Sequence, residues 1–300
     1  MVSIIIVNYN SSFSLEKAVN SIYETLPSCD FEVIIVDNNS IDESYLFLKK
    51  DVFRTKVIFN KSNLGFARAC NIGANASRGS YLLFLNPDTI ITKLNLVDLK
   101  SLYESSNKIG AIGVKQYGAN GEISKSCAKF PSISQYLFKL LGFSKIFPNL
   151  FQFRFLNLDY NMSQYVDQVI GSFLFIKKSI FLDFNGFDEQ YFVYYEEMDL
   201  AYRMRCSGYL NYYYSDMHIF HEGGGTTKKI RSLRLLYSWQ SRLKYFKKHK
   251  GIISLFIIYL ITFLLEPLVR IFLGLATFNP RNSIETFNAF LMLIKLNELK

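Results

Sequence analysis

Tyr81-Leu82-Leu83-Phe84-Leu85-Asn86-Pro87-Asp88-Thr89 decides how this chain is read. An apolar run that fits a buried strand passes into a polar turn, and the turn delivers the carboxylate of Asp88 where a parallel strand would end. Ligands of open α/β sheets gather at the carboxyl ends of the strands, and a hard acid there suits a divalent cation with a diphosphate bound to it.

The same alternation recurs upstream. Val2-Ser3-Ile4-Ile5-Ile6-Val7 is a second buried strand, followed by a helix that Ser12 or Ser14 can cap. Leu15, Ala18, Val19 and Ile22 recur at helical spacing in it until Pro27 stops the pattern. Phe31-Glu32-Val33-Ile34-Ile35-Val36 is a strand ending in the turn Asp37-Asn38-Asn39-Ser40, and residues 56–59 form another. Asn63-Leu64-Gly65 then opens a helix carrying Phe66, Ala69, Cys70, Ile72 and Gly73. Repeated βα units with short connections predict an α/β fold with a parallel, right-handed, doubly wound sheet. Three polar clusters, Asn8-Tyr9-Asn10, Asp37-Asn38-Asn39-Ser40 and Asn86-Pro87-Asp88, fall at successive strand ends. Each alone is a plausible turn; three together point to a ligand.

The second half is less regular. Gly118-Ala119-Asn120-Gly121 predicts a hairpin turn, and the aromatic-rich residues 130–161 a loop covering a substrate. Residues 169–176 return to strand, residues 196–206 form a helix with an acidic first turn, and two short runs around Tyr212 and Ile219 precede Gly223-Gly224-Gly225.

Half of the 300 residues are hydrophobic, enough for a sizeable core. Cys29, Cys70, Cys127 and Cys206 show no zinc-ligand spacing, and the amino terminus lacks the basic leader and cleavage site of a signal peptide. Free thiols and a cytosolic setting are the expectation. The net charge of +9 is concentrated: Lys228, Lys229, Arg231, Arg234, Arg242, Lys244, Lys247, Lys248 and Lys250 lie in one segment, which runs into the apolar residues 252–265. Basic residues next to an apolar helix point to a membrane surface, not to nucleic acid. The apolar run is shorter than the ~20 residues of a membrane span. Glu266-Pro267 is expected to interrupt it and Arg270 falls in the next apolar piece, so an in-plane or re-entrant anchor is favoured over a spanning helix, with a buried core or dimer helix as the alternative.

Taken in order, the motifs resemble the inverting GT-A glycosyltransferases of family 2, and among them the rhamnosyltransferase-like members that build bacterial surface polysaccharides. The resemblance covers about residues 2–250. It rests on Val2 through Asn10, on Val36-Asp37-Asn38-Asn39-Ser40, on Asn63-Leu64-Gly65-Phe66-Ala67-Arg68-Ala69-Cys70-Asn71, and on Leu85-Asn86-Pro87-Asp88-Thr89 where the family has Asp-x-Asp. The last block is Gly186-Phe187-Asp188-Glu189 with Tyr194-Tyr195-Glu196-Glu197-Met198-Asp199-Leu200 and Arg203. It implies a GT-A domain over residues 1–227, with a donor half to about residue 115 and an acceptor half beyond it, and a basic, apolar helical membrane-association region over residues 228–300.

The resemblance also implies roles. Val7, Tyr9, Asp37, Asn38, Asn63, Gly65, Arg68 and Asn86 would bind the nucleotide sugar, and Asp88 with His221 would hold Mg²⁺ or Mn²⁺. Gly171, Asp188, Asp199 and Arg203 would lie on the acceptor side. From the residues alone Tyr9 reads first as a packing residue, and Arg68 as a guanidinium reaching the diphosphate or sugar slightly ahead of a solvated helix charge. Glu196 and Glu197 are both candidates for the general base, and alignment with the family's Glu-Asp pair points to Glu197. Asn86 replaces the family's first Asp, and Glu197 its usual Asp. The expected activity is transfer of a sugar, L-rhamnose from a dTDP donor first, to a glycan or lipid-linked acceptor at the cytoplasmic face of the cell membrane. A transferase using a UDP-linked hexose or N-acetylhexosamine and an inactive glycan-binding membrane scaffold are the alternatives. A nicotinamide-dependent enzyme is disfavoured because Asn8-Tyr9-Asn10-Ser11-Ser12 is not a glycine-rich phosphate turn.

Overall fold

Seven consecutive residues of β1 (Val2–Asn8) are buried, as are all seven of β2 (Phe31–Asp37), which is what a strand covered on both faces requires of its side chains. The computed structural model describes residues 1–42, 44–48, 53–143, 158–223 and 231–298. After β1 come α1 (Ser14–Thr25), β2, α2 (Ser44–Leu48), β3 (Thr55–Phe59), α3 (Phe66–Ala76), β4 (Tyr81–Leu85), β5 (Thr89–Lys93), α4 (Leu96–Ser105) and β6 (Ile109–Tyr117). The chain continues through β7 (Cys127–Ala128), α5 (Ile133–Leu140), β8 (Gln164–Val166), β9 (Gln168–Val169), β10 (Phe173–Lys177), α6 (Lys178–Asp183), α7 (Glu196–Cys206) and β11 (Leu210–His221). Four further helices close it: α8 (Arg231–His249), α9 (Gly251–Leu260), α10 (Glu266–Ala276) and α11 (Pro280–Glu298), with a π turn (Ile261–Leu265) between α9 and α10.

Two compact units divide the chain. The first comprises Met1–Phe130, Asn157–Glu189 and Glu196–Thr226; the second comprises Pro131–Leu156, Gln190–Tyr195 and Thr227–Lys300.

In the first unit the main sheet has the order β3-β2-β1-β4-β10-β6-β11-β5, with β8 on β11. β1 pairs in parallel with β2 and β4, and β2 with β3, as the βα alternation predicts. Beyond β4 the sheet is mixed. β10 runs antiparallel to β4 and β6, β11 parallel to β6, and β5 antiparallel to β11. An all-parallel sheet is therefore not what forms, because Phe173-Leu174-Phe175-Ile176 is buried on both faces and such a composition carries no information about strand direction.

Several local expectations change for identifiable reasons. α1 begins at Ser14 without a side-chain cap; Ser12 instead gives its N–H and hydroxyl to Asp42, at 2.6 and 3.0 Å. The runs around Tyr212 and Ile219 are one strand, β11, whose register shifts disguise its continuity. The run at 169–176 is broken into β9 and β10. Gly118–Gly121 does turn the chain back, with Tyr117 bridged to Ile123.

In the second unit, the region expected to be loop contains α5, started by a capping box between Ser132 and Gln135; residues 144–157 lie outside the described residues, as do 224–230, which hold two of the three loop glycines and Lys228 and Lys229. α9, the π turn and α10 form one uninterrupted helical run, Gly251–Ala276, of 26 residues. Glu266-Pro267 does not break it: Pro267 occupies the first turn of α10, and the π turn just before it takes up the crowding a proline ring imposes on the preceding turn. Leu236 and Trp239 of α8 pack against Ala289 and Leu293 of α11 to form this unit's core.

α3, whose amino terminus contributes to the site described below, is set against the sheet at Gly73. A Cβ there would come within 2.6 Å of Ile5 Cγ2 and 3.3 Å of Val36 Cγ2. Gly73→Leu is expected to cost about 1–3 kcal/mol by overpacking, read as a lower urea midpoint; an unchanged midpoint would show that the helix can slide outward freely.

Candidate active site

Asp37 ends β2 with its side chain buried and both carboxylate oxygens engaged. Asn8, at the end of β1, donates from Nδ2 to Asp37 Oδ1 at 2.7 Å and to the hydroxyls of Ser40 and Ser44 at 2.9 and 3.0 Å, while Ser40 N–H donates to Asp37 Oδ2 at 3.0 Å. The loops after β1 and β2 are thereby tied together. Asn38 reaches across to α3, donating from Nδ2 to the Gly65 carbonyl at 3.2 Å, and Asn63 Oδ1 accepts from Gly65 N–H at 3.0 Å. Gly65 has φ +86°, a value that glycine adopts without strain. Asp37, Asn38, Asn63 and Gly65 thus belong to one connected group. Val7 is buried at the edge of this group and Tyr9 is half-buried.

Arg68 lies on α3, more than half exposed, with Nε 3.5 Å from Glu189 Oε2. Its neighbour Asn71 clamps the Gly186-Phe187 turn: Nδ2 donates to the Phe187 carbonyl at 2.8 Å and Oδ1 accepts from Phe187 N–H at 3.0 Å. Asp188 follows directly in that turn, half-buried.

Asp88 and His221 meet because β5 and β11 pair antiparallel with Thr89 opposite His221. His221 Nε2 stands 3.3 Å from Asp88 Oδ1, and both side chains are largely enclosed. Glu222 N–H donates to the Asp88 carbonyl at 3.2 Å, closing the turn. His218, by contrast, is set edge-on to Tyr117, with ring centroids 5.4 Å apart. No group of three or more His, Cys, Asp or Glu side chains able to hold a metal occurs among the described residues. One carboxylate and one imidazole fit Mg²⁺ or Mn²⁺ provided phosphate oxygens and water complete the shell, as is common where the cation arrives with a nucleotide.

Glu196 and Glu197 open α7, where the helix dipole favours negative charge. Their environments differ. Glu196 is buried with Oε2 unpartnered among the described residues, and burial followed by the charge on Glu197 pushes its carboxyl well above the usual range. Burial, and then these same two carboxylates, push the Cys70 thiol up from α3. Glu197 is half-buried, and the position a Cβ would take on Gly171 is 3.8 Å from Glu197 Cγ. Asn86 N–H donates to the Ser172 carbonyl at 3.1 Å, so the 171–172 backbone has Asn86, two residues before Asp88, at one point and Glu197 at the next. Asp199 and Arg203 serve the scaffold: Arg203 Nε donates to Asp199 Oδ2 at 2.7 Å and Nη2 to the Gly186 carbonyl at 2.8 Å, with a further bond to the Phe184 carbonyl.

The Asn8–Ser40–Ser44 network, the Asn71 clamp and the placement of Cys70 below the acidic pair are additions to the sequence reading. Asn8 offered a signal, being a polar residue at the end of an otherwise apolar strand.

A mixed sheet with polar groups at these strand ends, and an acidic helix start beside them, has the GT-A architecture. The family model described as "Glycosyl transferase family 2" matches residues 3–162, and the chain belongs to that family. Among relatives, the low-salt glycan biosynthesis hexosyltransferase Agl10 of Haloferax volcanii is 28% identical over 208 residues, covering 68% of this chain and 61% of that protein. The rhamnosyltransferase WbbL of Escherichia coli is 26% identical over 172 residues, covering 57% of this chain and 62% of that one. The chain spans about three fifths of the length of these two relatives. Among solved structures, the mannosyltransferase PcManGT of Pyrobaculum calidifontis, in complex with GDP-Man and Mn²⁺, superposes with a TM-score of 0.57 at 15% identity over 98% of this chain and 86% of that one. S. aureus TarS 1–349 gives 0.54 at 15% identity, over 94% and 88%. At such identities the likeness is one of fold.

The raised proton affinity of Glu196 has a thermodynamic consequence. The native state holds this proton to a higher pH than the unfolded chain, whose glutamates titrate near 4.5, so native stability falls as pH rises from that value toward the native pKa. Glu196→Gln removes this loss, on the order of 1 kcal/mol of stability per pH unit within that window, and is expected to raise the melting temperature more at about pH 8 than at about pH 5. An equal shift at both values would mean that Glu196 is ionised in the native protein.

Proposed function

We propose that this protein is an inverting glycosyltransferase that moves a sugar from a nucleoside diphosphate to a hydroxyl of a glycan or lipid-linked acceptor. What supports the reading best is that the 171–172 backbone meets both Asn86, two residues before the Asp88–His221 pair, and Glu197. Inversion by direct displacement needs the leaving diphosphate and the general base on opposite faces of the sugar.

In this mechanism the acceptor hydroxyl oxygen attacks C1 of the donor sugar. Its proton passes to the Glu197 carboxylate, the C1–O bond to the diphosphate breaks, and the bonding electrons leave with the diphosphate. We assign the base to Glu197 and not Glu196, because Glu196 is buried and its carboxyl is pushed well above the usual range, first by burial and then by the charge on Glu197. Asp88 and His221 would hold the divalent cation, which supplies charge to stabilise the departing diphosphate when bound. Asp37, Asn38, Asn63 and Gly65 position the nucleoside, with Tyr9 and Val7 as its packing surface and Asn86 and Arg68 toward the sugar and diphosphate. Arg203 and Asp199 hold the 184–186 turn from which Asp188 projects.

L-rhamnose from dTDP is the donor to test first, because WbbL carries the name rhamnosyltransferase. UDP-linked hexoses and N-acetylhexosamines come next. Calorimetric titration of dTDP-rhamnose, UDP-glucose, UDP-galactose and UDP-N-acetylglucosamine is expected to show binding of one of them with Mn²⁺ or Mg²⁺, lost with chelator and weakened about tenfold or more in Asp88→Ala. Absence of binding under every condition would remove the donor-site assignment. Glu197→Gln is expected to retain donor binding while turnover falls by about 10²–10⁴-fold. Turnover within a few-fold of the parent would show that Glu197 is not the base.

A further inference from the structure

Sugar transfer makes no use of the apolar surface carried by the second unit. Over the most apolar stretch of Gly251–Ala276 the mean hydropathy is 2.4, yet only 28% of that stretch is buried. The polarity of this helix is inverted relative to a helix of a water-soluble core. Its inward side holds Ile258 and Ile261 but also Thr262 and Glu266, with Arg270 partly exposed at its margin. Arg242 of α8 approaches Glu266 Oε2 at 2.7 Å and donates to Thr262 Oγ1 at 2.8 Å, and Arg270 donates to Glu266 Oε1 at 2.8 Å. Its outward side carries Ile253, Phe256, Leu260, Leu264, Leu268 and Phe272, all exposed, from 41% at Leu260 to 75% at Ile253. These six recur every three or four residues, so they form one continuous strip along the helix. Charges inside and large apolar side chains outside is a stable arrangement where the surrounding medium is itself apolar.

We infer that this helix lies in the plane of an anionic lipid surface, with the 253–272 strip sunk into the acyl boundary and the helix not crossing the bilayer. Charge complementarity names the occupant: exposed Lys247 and Lys248 stand in the last turn of α8, directly before the helix, where lipid phosphates would meet them. Length alone would permit a crossing, since 26 residues at about 1.5 Å each exceed a hydrocarbon core of about 30 Å. The neighbour forbids it. Gly251, at φ +75°, turns the chain back on itself, and the bonds of Arg242 hold α8 alongside the helix. A crossing would draw the length of α8, with the exposed Arg231 and Arg234, through the hydrocarbon beside it, where each charge is expensive. An in-plane helix leaves both in water or among headgroups and still buries the apolar strip.

The inference is independent of the sugar-transfer reading and is tested on the full chain. Flotation with vesicles of phosphatidylcholine, and of phosphatidylcholine mixed with phosphatidylglycerol, is expected to recover the protein with the anionic vesicles, less so at high salt. The double variant Phe256→Glu with Leu264→Glu should lower recovery about tenfold or more. Both sites are on the exposed strip, so its melting temperature should match the parent's, and donor titration on the same sample reports the other unit separately. For depth, Phe256→Cys, Leu264→Cys and Phe272→Cys, each in a Cys29→Ser and Cys206→Ser background, would carry a fluorophore quenched by spin-labelled lipids. Equal, shallow depths at all three positions are the expected result. A gradient that reaches the bilayer centre would show a crossing helix and overturn the inference. So would absence of flotation with both vesicle types, and light scattering that then shows a dimer dispersed by the double variant would assign the strip to a second copy of the chain.

Discussion

Two polar side chains far apart in sequence share one spot because β5 and β11 pair with Thr89 opposite His221. That register is a backbone constraint, and a slip of one residue would send His221 to the other face of the sheet. Asp88 and His221 are brought within 3.3 Å of one another by that register. The loops at the ends of β1 and β2 are fixed in the same way, through Asn8 and the carboxylate of Asp37. The strand ends are therefore ordered by contacts within the chain itself, an arrangement that would cost a ligand little to organise.

The two glutamates at the start of α7 show how burial assigns different work to neighbours of one type. Burial, and then repulsion between two carboxylates side by side in a poorly solvated setting, raises the proton affinity of the more deeply buried one. Gly171 packs beside the Glu197 side chain, whose Oε2 is enclosed.

Much of this is legible in the chain. β1, β2, β4, α3 and α7 follow from apolar periodicity and turn chemistry, and the residues that converge at the site stand in motifs visible along the sequence. What escapes the sequence has a common cause. The insertion of β10 between β4 and β6, the union of Tyr212 and Ile219 in one strand, and the passage of a helix through Pro267 each depend on partners remote in sequence or on a local irregularity that blurs the period. The Asn71 clamp on Phe187 is of the same kind, since nothing near Asn71 announces a partner 116 positions away. The capping box at Ser132 and Gln135 is different: its signal is local, but it lies in an aromatic-rich stretch that obscures helical spacing.

The outward strip of Gly251–Ala276 also bears on kinetics. With that strip in lipid, the protein and a lipid-linked acceptor share a two-dimensional layer. Encounter then depends on the number of acceptors per unit area and on lateral diffusion, not on their concentration in the surrounding water. A modest intrinsic affinity for the acceptor would suffice at the surface, and a water-soluble fragment of the same acceptor would be a much poorer substrate than its local chemistry suggests.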